Sequence, residues 1–504
     1  MDRYGNYHWN NGTDWRTIAE FTGSITPIKL KEMEQFYIGI DIGTTATKAV
    51  CFDRTGKVIR ECSQSYSMYH PKPDWSIQKP DEILLAVLGC IQEITKGIQP
   101  VFISFSSAMQ SIIAIDSNGK PLTDAIIWAD NRAHALAEAL KESDQGKNFY
   151  QKTGIPIHTF SPMTKIAWLK EHDTITFSKT YKFISIKEYI WHHLTGEYVI
   201  DSSMASGTGL MNIHTLQWES DILDYLKIDA SQLSKIVSPT HKNKGQSEEF
   251  YYVLGGGDGV LANLGTGAME AGRMALSIGT SGAVRLPTDK PFIDPEMRTQ
   301  CYHLMDNQYL KLGAVNNGAI VLQWLKESIL KTDESFEELF KQAETIPAAS
   351  EGLLFVPYLL GERAPIWDAS AQGTLLGIQI IHTKAHFIRA TLEGILFGLL
   401  SITEILLPNP EERHKITIMA SGGFGKSGLW LQMVADIFQM KVIVAETIEA
   451  SAWGAVLIGF KATAIAVPSE NKIGKTFLPN KDSKEIYEQS FKKFKKVYSL
   501  LKEI

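Results

Sequence analysis

Residues 38–53 read IGIDIGTTATKAVCFD, and residues 275–285 read ALSIGTSGAVR. Each is an apolar run that stops at a Gly-Thr-Thr or Gly-Thr-Ser turn and resumes as a second apolar run, the pattern of two strands joined by a tight turn. Working outward from the first copy, Asp53-Arg54-Thr55-Gly56-Lys57 is another turn signal, leading into Val58 and Ile59. Apolar Ile83, Leu84, Val87, Leu88 and Ile91 recur at helical spacing, and Val101 to Phe105 reads as a further strand. Strands and helices go on alternating, which predicts an α/β architecture. Two copies of one turn about half a chain apart predict two similar domains facing each other. The boundary falls near residue 269, giving domains at 37–268 and 269–504. Residues 1–36, rich in aromatics and Asn without periodicity, read as a separate N-terminal extension. The stretch from Lys481 to Lys502 reads as a charged amphipathic helix and a solvated edge.

Composition narrows the function classes. A chain of 504 residues can bury two or three full cores. The net charge of −6, with Lys and Arg dispersed, argues against nucleic acid and anionic membrane as partners. The four cysteines lie far apart with no CxxC pair, which speaks against a zinc site and a disulfide scaffold and suggests a reducing compartment. No apolar run reads as long enough to span a bilayer, and no basic start leads into an apolar signal core, so a cytoplasmic location is expected.

Three short stretches carry chemistry. Asp41-Ile42-Gly43-Thr44-Thr45 offers backbone N–H groups and hydroxyls that could cradle phosphate, with an acid at the strand end that could hold Mg²⁺ through water and Lys48 within reach of an outer phosphate. Ser277 to Gly282 repeats the turn without the acid. Either turn alone could be a plain hairpin; the repetition favours a function. Ala420 to Ser427 (ASGGFGKS) matches a relaxed P-loop after the strand-like KITIM, yet only 77 residues follow it, too few for the remaining βα units of a P-loop domain. Its glycines and helix start could still cradle a nucleotide. Gly255-Gly256-Gly257-Asp258-Gly259 places one carboxylate among four glycines at the end of the strand-like Tyr251 to Leu254. A carboxylate so placed can take a proton from a hydroxyl, the small neighbours allowing a substrate to approach.

Two longer patterns are more specific. Phe160 to His172 (FSPMTKIAWLKEH) and Gly373 to Glu393 (GTLLGIQIIHTKAHFIRATLE) fit the two signatures of the FGGY carbohydrate kinases, which the chain resembles over nearly all of 36–504. Ser161 and Pro162 also read as an N-cap and first helical position. The resemblance implies two actin-like (ribonuclease H-like) domains with the catalytic cleft between them, ATP and Mg²⁺ as cofactors, and a small sugar as substrate. It implies Asp258 as the catalytic base and Asp41 as the Mg²⁺-associated acid. Thr44, Thr45 and Lys48 then resemble phosphate contacts, as do Gly279 and Thr280 of the second loop. Gly318 and Gln323 in NNGAIVLQW, with Gly422, Gly423 and Ser427, resemble the nucleotide side.

Within the family, three stretches look most like the gluconate branch: Ser104 to Ser111, Trp128 to Arg132, and Ala205 to Asn212. Met109, Gln110, Trp128, Asp130 and Arg132 become candidate substrate contacts alongside Asp258. Gluconokinases usually carry His where this chain has Gln110, although Gln can both donate to and accept from sugar hydroxyls. A sugar acid calls for a cation, and Arg132 is the nearest in sequence, its alternative being a salt bridge. The stretch from His241 to Tyr252 is shorter than the family pattern, which predicts a missing helix or hairpin. The expected reaction is phosphorylation of D-gluconate to 6-phosphogluconate. The alternatives are the same chemistry on xylulose or another polyol, and a non-catalytic actin-like nucleotide-binding protein. A homodimer is a fair expectation.

Overall fold

The computed structural model describes residues 35–245, 249–445, 449–467 and 473–501. The N-terminal extension read from the sequence lies outside the described residues up to residue 34. Chain order among the described residues begins with the antiparallel strands β1 (Phe36–Ile42), β2 (Ala46–Phe52) and β3 (Val58–Ser65). Strand β4 (Pro100–Ser107) then pairs parallel with β1, and β6 (Tyr251–Gly257) pairs parallel with β4. The short β5 (Lys242–Asn243) forms the edge against β6. The sheet order is β5-β6-β4-β1-β2-β3. The short connection before β6 therefore folds as an abbreviated antiparallel edge, with Lys242 opposite Val253; residues 246–248 lie outside the described residues.

The second sheet repeats this plan. Strands β7 (Arg273–Ile278), β8 (Gly282–Thr288), β9 (Gln300–Met305), β10 (Gln308–Val315), β11 (Thr417–Ser421), β12 (Lys441–Ala445) and β13 (Ile473–Phe477) lie in the order β9-β10-β8-β7-β11-β12-β13. Strands β7 and β8 form the hairpin equivalent to β1–β2, while β11 and β12 pair in parallel as β4 and β6 do. Each hairpin turns through three residues, Gly43–Thr45 and Gly279–Ser281, so the repeated text in the sequence is a repeated supersecondary unit. The inner strands are near-continuously apolar because both their faces are covered.

The helices that matter here are α1 (Pro80–Ile94), α2 (Pro162–His172), α3 (Asp258–Gly265), α4 (Ala319–Trp324), α5 (Phe336–Glu344), α6 (Lys384–Leu406), α7 (Gly428–Phe438), α8 (Ala450–Ala462) and α9 (Lys484–Leu501). In α1, Ile83, Leu84 and Val87 are buried while Leu88 is turned outward. Ser161 stands at the N-cap of α2, but its hydroxyl donates to the Thr208 carbonyl at 2.7 Å instead of capping the helix. Helix α6 is long and apolar enough to cross a membrane by length and composition, contrary to the reading of the bare sequence; 83% of its apolar window is buried inside the protein, so it is a core helix. Helix α9 is only half a solvated edge: Tyr487, Phe491, Phe494 and Val497 on one face are buried.

Helices α3 and α8 cross between the sheets. A β-carbon on Gly454 would lie 2.0 Å from the Leu261 carbonyl oxygen, so the two helix backbones are in direct contact and only glycine fits there. One step along, α8 lies against β1 at Gly39. A helix late in the chain thus packs on the first sheet, beside the helix that starts at Asp258.

Candidate active site

Asp258 is the first residue of α3, reached directly from β6. The three glycines before it make room for the protein itself. Gly255 has φ +64, and a β-carbon there would lie 1.8 Å from the Phe105 carbonyl oxygen. A β-carbon on Gly256 would meet the Ser203 hydroxyl at 2.7 Å, and one on Gly257 the Met109 sulfur at 2.6 Å. The expectation that these glycines admit a substrate is corrected: they let β6 nest against its neighbours and so fix where Asp258 begins. A buried chain of polar groups does the same. Lys187 pairs with Asp201 at 2.7 Å, Asp201 accepts from the Ser203 hydroxyl, and Ser203 in turn accepts the Gly257 N–H at 2.9 Å.

The Asp258 carboxylate accepts its neighbour Gly259's N–H at 2.6 Å. Burial raises its pKa above the usual carboxylate range, opposed by that N–H and by the Arg285 guanidinium. A raised pKa makes a better proton acceptor. Asp41, near the end of β1, is pushed up to about 6, first by burial and then by the Asp258 charge, while the Ser106 hydroxyl donates to it at 2.7 Å and pulls the other way. Two carboxylates that repel each other this way are the setting a divalent cation relieves. Among the described residues no group of three or more His, Cys, Asp or Glu could hold a metal alone. The two carboxylates would suit a water-rich Mg²⁺ that shares its shell with phosphates.

The hairpin Gly43–Thr45 follows Asp41 at the end of β1. The Trp128 indole N–H donates to the Thr44 hydroxyl at 3.2 Å, and Thr45 stands exposed at the tip. Lys48, expected to reach phosphate, is held instead between Glu449 at 2.6 Å and Glu61 at 3.0 Å. Gln110 adopts φ +70, a left-handed conformation, and its side-chain amide donates to the Tyr302 hydroxyl at 2.9 Å. Its carbonyl accepts from Lys165, a fully buried lysine that also bonds the Phe160 carbonyl at 2.6 Å and whose pKa burial lowers to about 7. Met109 thus packs on Gly257 just before Asp258, Gln110 meets Tyr302, and Trp128 meets Thr44.

Asp130 and Arg132 do not join them. Asp130 is fully buried and accepts the Ser76 N–H at 2.7 Å and two guanidinium N–H groups of Arg132 at 2.8 and 2.9 Å. Arg132 is stacked 3.7 Å from the Trp75 ring centroid and 5.2 Å from that of Trp168. The carboxylate-binding role expected of Arg132 is corrected: its fork is already occupied by a carboxylate of the protein. Sequence reasoning missed Arg285, Tyr302 and Arg363, which surround Asp258 and Gln110 from the second half of the chain. The alternation that puts Arg285 on the same strand face as Ala283, just past the second turn, was the only signal for any of them.

On the other side, Gly279, Thr280, Gln323, Gly423 and Ser427 line a cavity of about 860 Å³ together with aromatic residues from α5 and α7. Gly318 closes the floor: its N–H donates to the Thr280 carbonyl at 3.1 Å, and a β-carbon there would lie 2.6 Å from Ser281. Gly422, at φ +97, lies just as close to the Ile278 carbonyl. Ser427 caps α7 by accepting the Trp430 N–H, and the P-loop-like text is a strand, a short 3₁₀ turn and this helix at the edge of the cavity.

Two sheets of one plan, each with a Gly-Thr hairpin, and a carboxylate at the start of the helix after β6 make a mixed α/β fold of two similar halves. Residues 36–265 match the N-terminal domain and residues 274–463 the C-terminal domain of the FGGY family of carbohydrate kinases, and the chain belongs to that family. It is 43% identical over 458 residues to a gluconokinase of Bacillus licheniformis, covering 86% of this chain and 88% of the relative. A gluconate kinase structure from Lactobacillus acidophilus superposes with a TM-score of 0.90 at 35% identity, and a ligand-bound xylulose kinase structure from the same organism with 0.90 at 36%; each comparison covers 93% of this chain and 98% of the other. The protein is therefore a carbohydrate kinase that uses ATP as phosphate donor.

Proposed function

We propose that the protein phosphorylates D-gluconate on its 6-hydroxyl to give 6-phosphogluconate. The observation that carries the chemistry is the raised carboxylate of Asp258 at the start of α3, beside Asp41 and the Gly43–Thr45 turn. The 43% identity to a gluconokinase supports the substrate. Asp258 accepts the hydroxyl proton as the oxygen attacks the terminal phosphorus; the bond to the leaving ADP oxygen breaks, and the proton stays on the carboxyl until product leaves. Thr44, Thr45, Gly279 and Thr280 hold phosphate oxygens, and Gly318, Gln323, Gly422, Gly423 and Ser427 form the nucleotide side. When bound near Asp41, Mg²⁺ would neutralise phosphate charge. Met109, Gln110 and Trp128 orient the sugar, and closure of the two halves excludes water. We place their boundary near residue 269, between α3 and β7. The four cysteines are free thiols, which suits the cytoplasmic location we assign.

Xylulose is the second reading, favoured by the xylulose kinase structure, which superposes as closely as the gluconate kinase. Coupled assays with gluconate, xylulose, ribulose and glycerol separate the two. Gluconate is expected to give the highest kcat/KM, and a higher value with xylulose would overturn the assignment.

A further inference from the structure

With Arg132 committed to Asp130, a sugar acid needs another cation, and two others lie near Asp258 and Trp128. Arg285, on β8, lies beside Asp258: its guanidinium would stand 3.3 Å from a β-carbon on Gly259, and one N–H donates to the Ser277 hydroxyl at 3.0 Å. Arg363 lies one step further out. One of its N–H groups donates to the Val315 carbonyl at 3.2 Å, and its guanidinium sits 5.9 Å from the Trp128 ring centroid. Its Nε is buried without any hydrogen-bond partner. A buried guanidinium N–H left unpaired is costly, and it marks a place where an acceptor belongs.

The neighbouring groups point the same way. Tyr302, bonded to Gln110, feels Asp258 together with both guanidinium charges, so the three charges lie close to one another. Glu362, next to Arg363 in sequence, does not accept from its Nε–H. Its carboxyl already accepts N–H groups from Asn316, Asn317 and Arg363's own backbone, and burial pushes its pKa up to about 7. Arg285 and Arg363 thus stand near the carboxylates of Asp258 and Asp41, and the Arg363 Nε–H is the donor left without an acceptor.

We propose that Arg363 binds the substrate's carboxylate through its unpaired Nε–H edge, with Arg285 as the neighbouring charge. This makes Arg363 the residue that selects sugar acids over neutral sugars. A sugar acid held by its hydroxymethyl end at Asp258 presents its carboxylate away from that base, toward the more distant guanidinium. The inference rests on the gluconate reading above.

The test compares equilibrium binding of D-gluconate with that of its neutral analogue D-gluconamide. Wild type should prefer gluconate by about 10- to 100-fold, the worth of a charge-assisted hydrogen bond. Arg363→Gln should reduce the preference to within about 3-fold while leaving gluconamide affinity nearly unchanged, and Arg363→Lys should retain part of it. Arg285→Gln, with a smaller expected loss of preference, gives an independent reading where Arg363→Gln does not fold. An enzyme that phosphorylates gluconate but keeps its full preference in Arg363→Gln and Arg285→Gln refutes the subsite alone. A wild type that turns over xylulose and binds gluconate no better than gluconamide refutes the gluconate reading and the subsite together.

Discussion

Asp41 and Asp258 differ in what surrounds them, and the difference sets their tasks. Asp258 has an arginine and a backbone N–H nearby, whereas Asp41 has a hydroxyl donor and a second carboxylate. A carboxyl whose pKa is higher in the folded than in the unfolded chain binds its proton more tightly when folded. For Asp41 the contribution to stability is therefore full below about pH 4 and is lost as pH rises to about 6. Asp41→Asn, in the absence of Mg²⁺, should stabilise the protein at pH 8 by about 1–3 kcal/mol relative to wild type, with less effect at pH 4. Urea denaturation at the two pH values measures this; equal shifts at both would show that Asp41 is not strained by its charge. Asp41 itself was legible as an acid at a strand end. The cations were not, because Arg285, Tyr302 and Arg363 reach the pocket from strands and loops that lie beside Asp258 only after the halves assemble.

At the scale of elements, the hairpins were legible because turn chemistry and strand pattern are both local. The glycine run before Asp258 was legible as a site and misread in mechanism, since the atoms it accommodates come from distant segments. Gly255→Ala would place a β-carbon into the Phe105 carbonyl at a left-handed backbone position, and should destabilise the protein by more than about 2 kcal/mol in thermal denaturation. Ser203→Ala is gentler. It leaves the Gly257 N–H buried without its acceptor, for about 1–3 kcal/mol of stability. It should lower kcat more than it raises KM, because the strand end that sets Asp258 loosens; a change confined to KM contradicts that role. Helix α9 was half misread for a similar reason: its charges are visible in the text, while the core that receives Tyr487 and Phe494 is not.

Across the whole molecule, two sheets share one hairpin plan, and α3 and α8 pack directly against each other. The repeat in the sequence pointed to two similar halves, the family resemblance to their actin-like fold, and the pairing of α3 with α8 was visible in neither. Lys48 shows what the plan adds. Read as a phosphate contact, it pairs with Glu449 at the start of α8, 401 residues away in sequence, and ties the first sheet to that crossing helix. Glu449→Gln together with Glu61→Gln should free Lys48 and change the KM for ATP by several-fold with little effect on gluconate binding; a change in gluconate affinity alone would contradict this placement.

The central claim is that Asp258 takes the proton of the hydroxyl being phosphorylated, and Asp258→Asn tests it most directly. In a coupled assay with ATP and gluconate, kcat should fall by about 10²- to 10⁴-fold while ATP affinity, measured separately by titration, stays within a few-fold of wild type. A variant that keeps wild-type turnover would show that the base lies elsewhere.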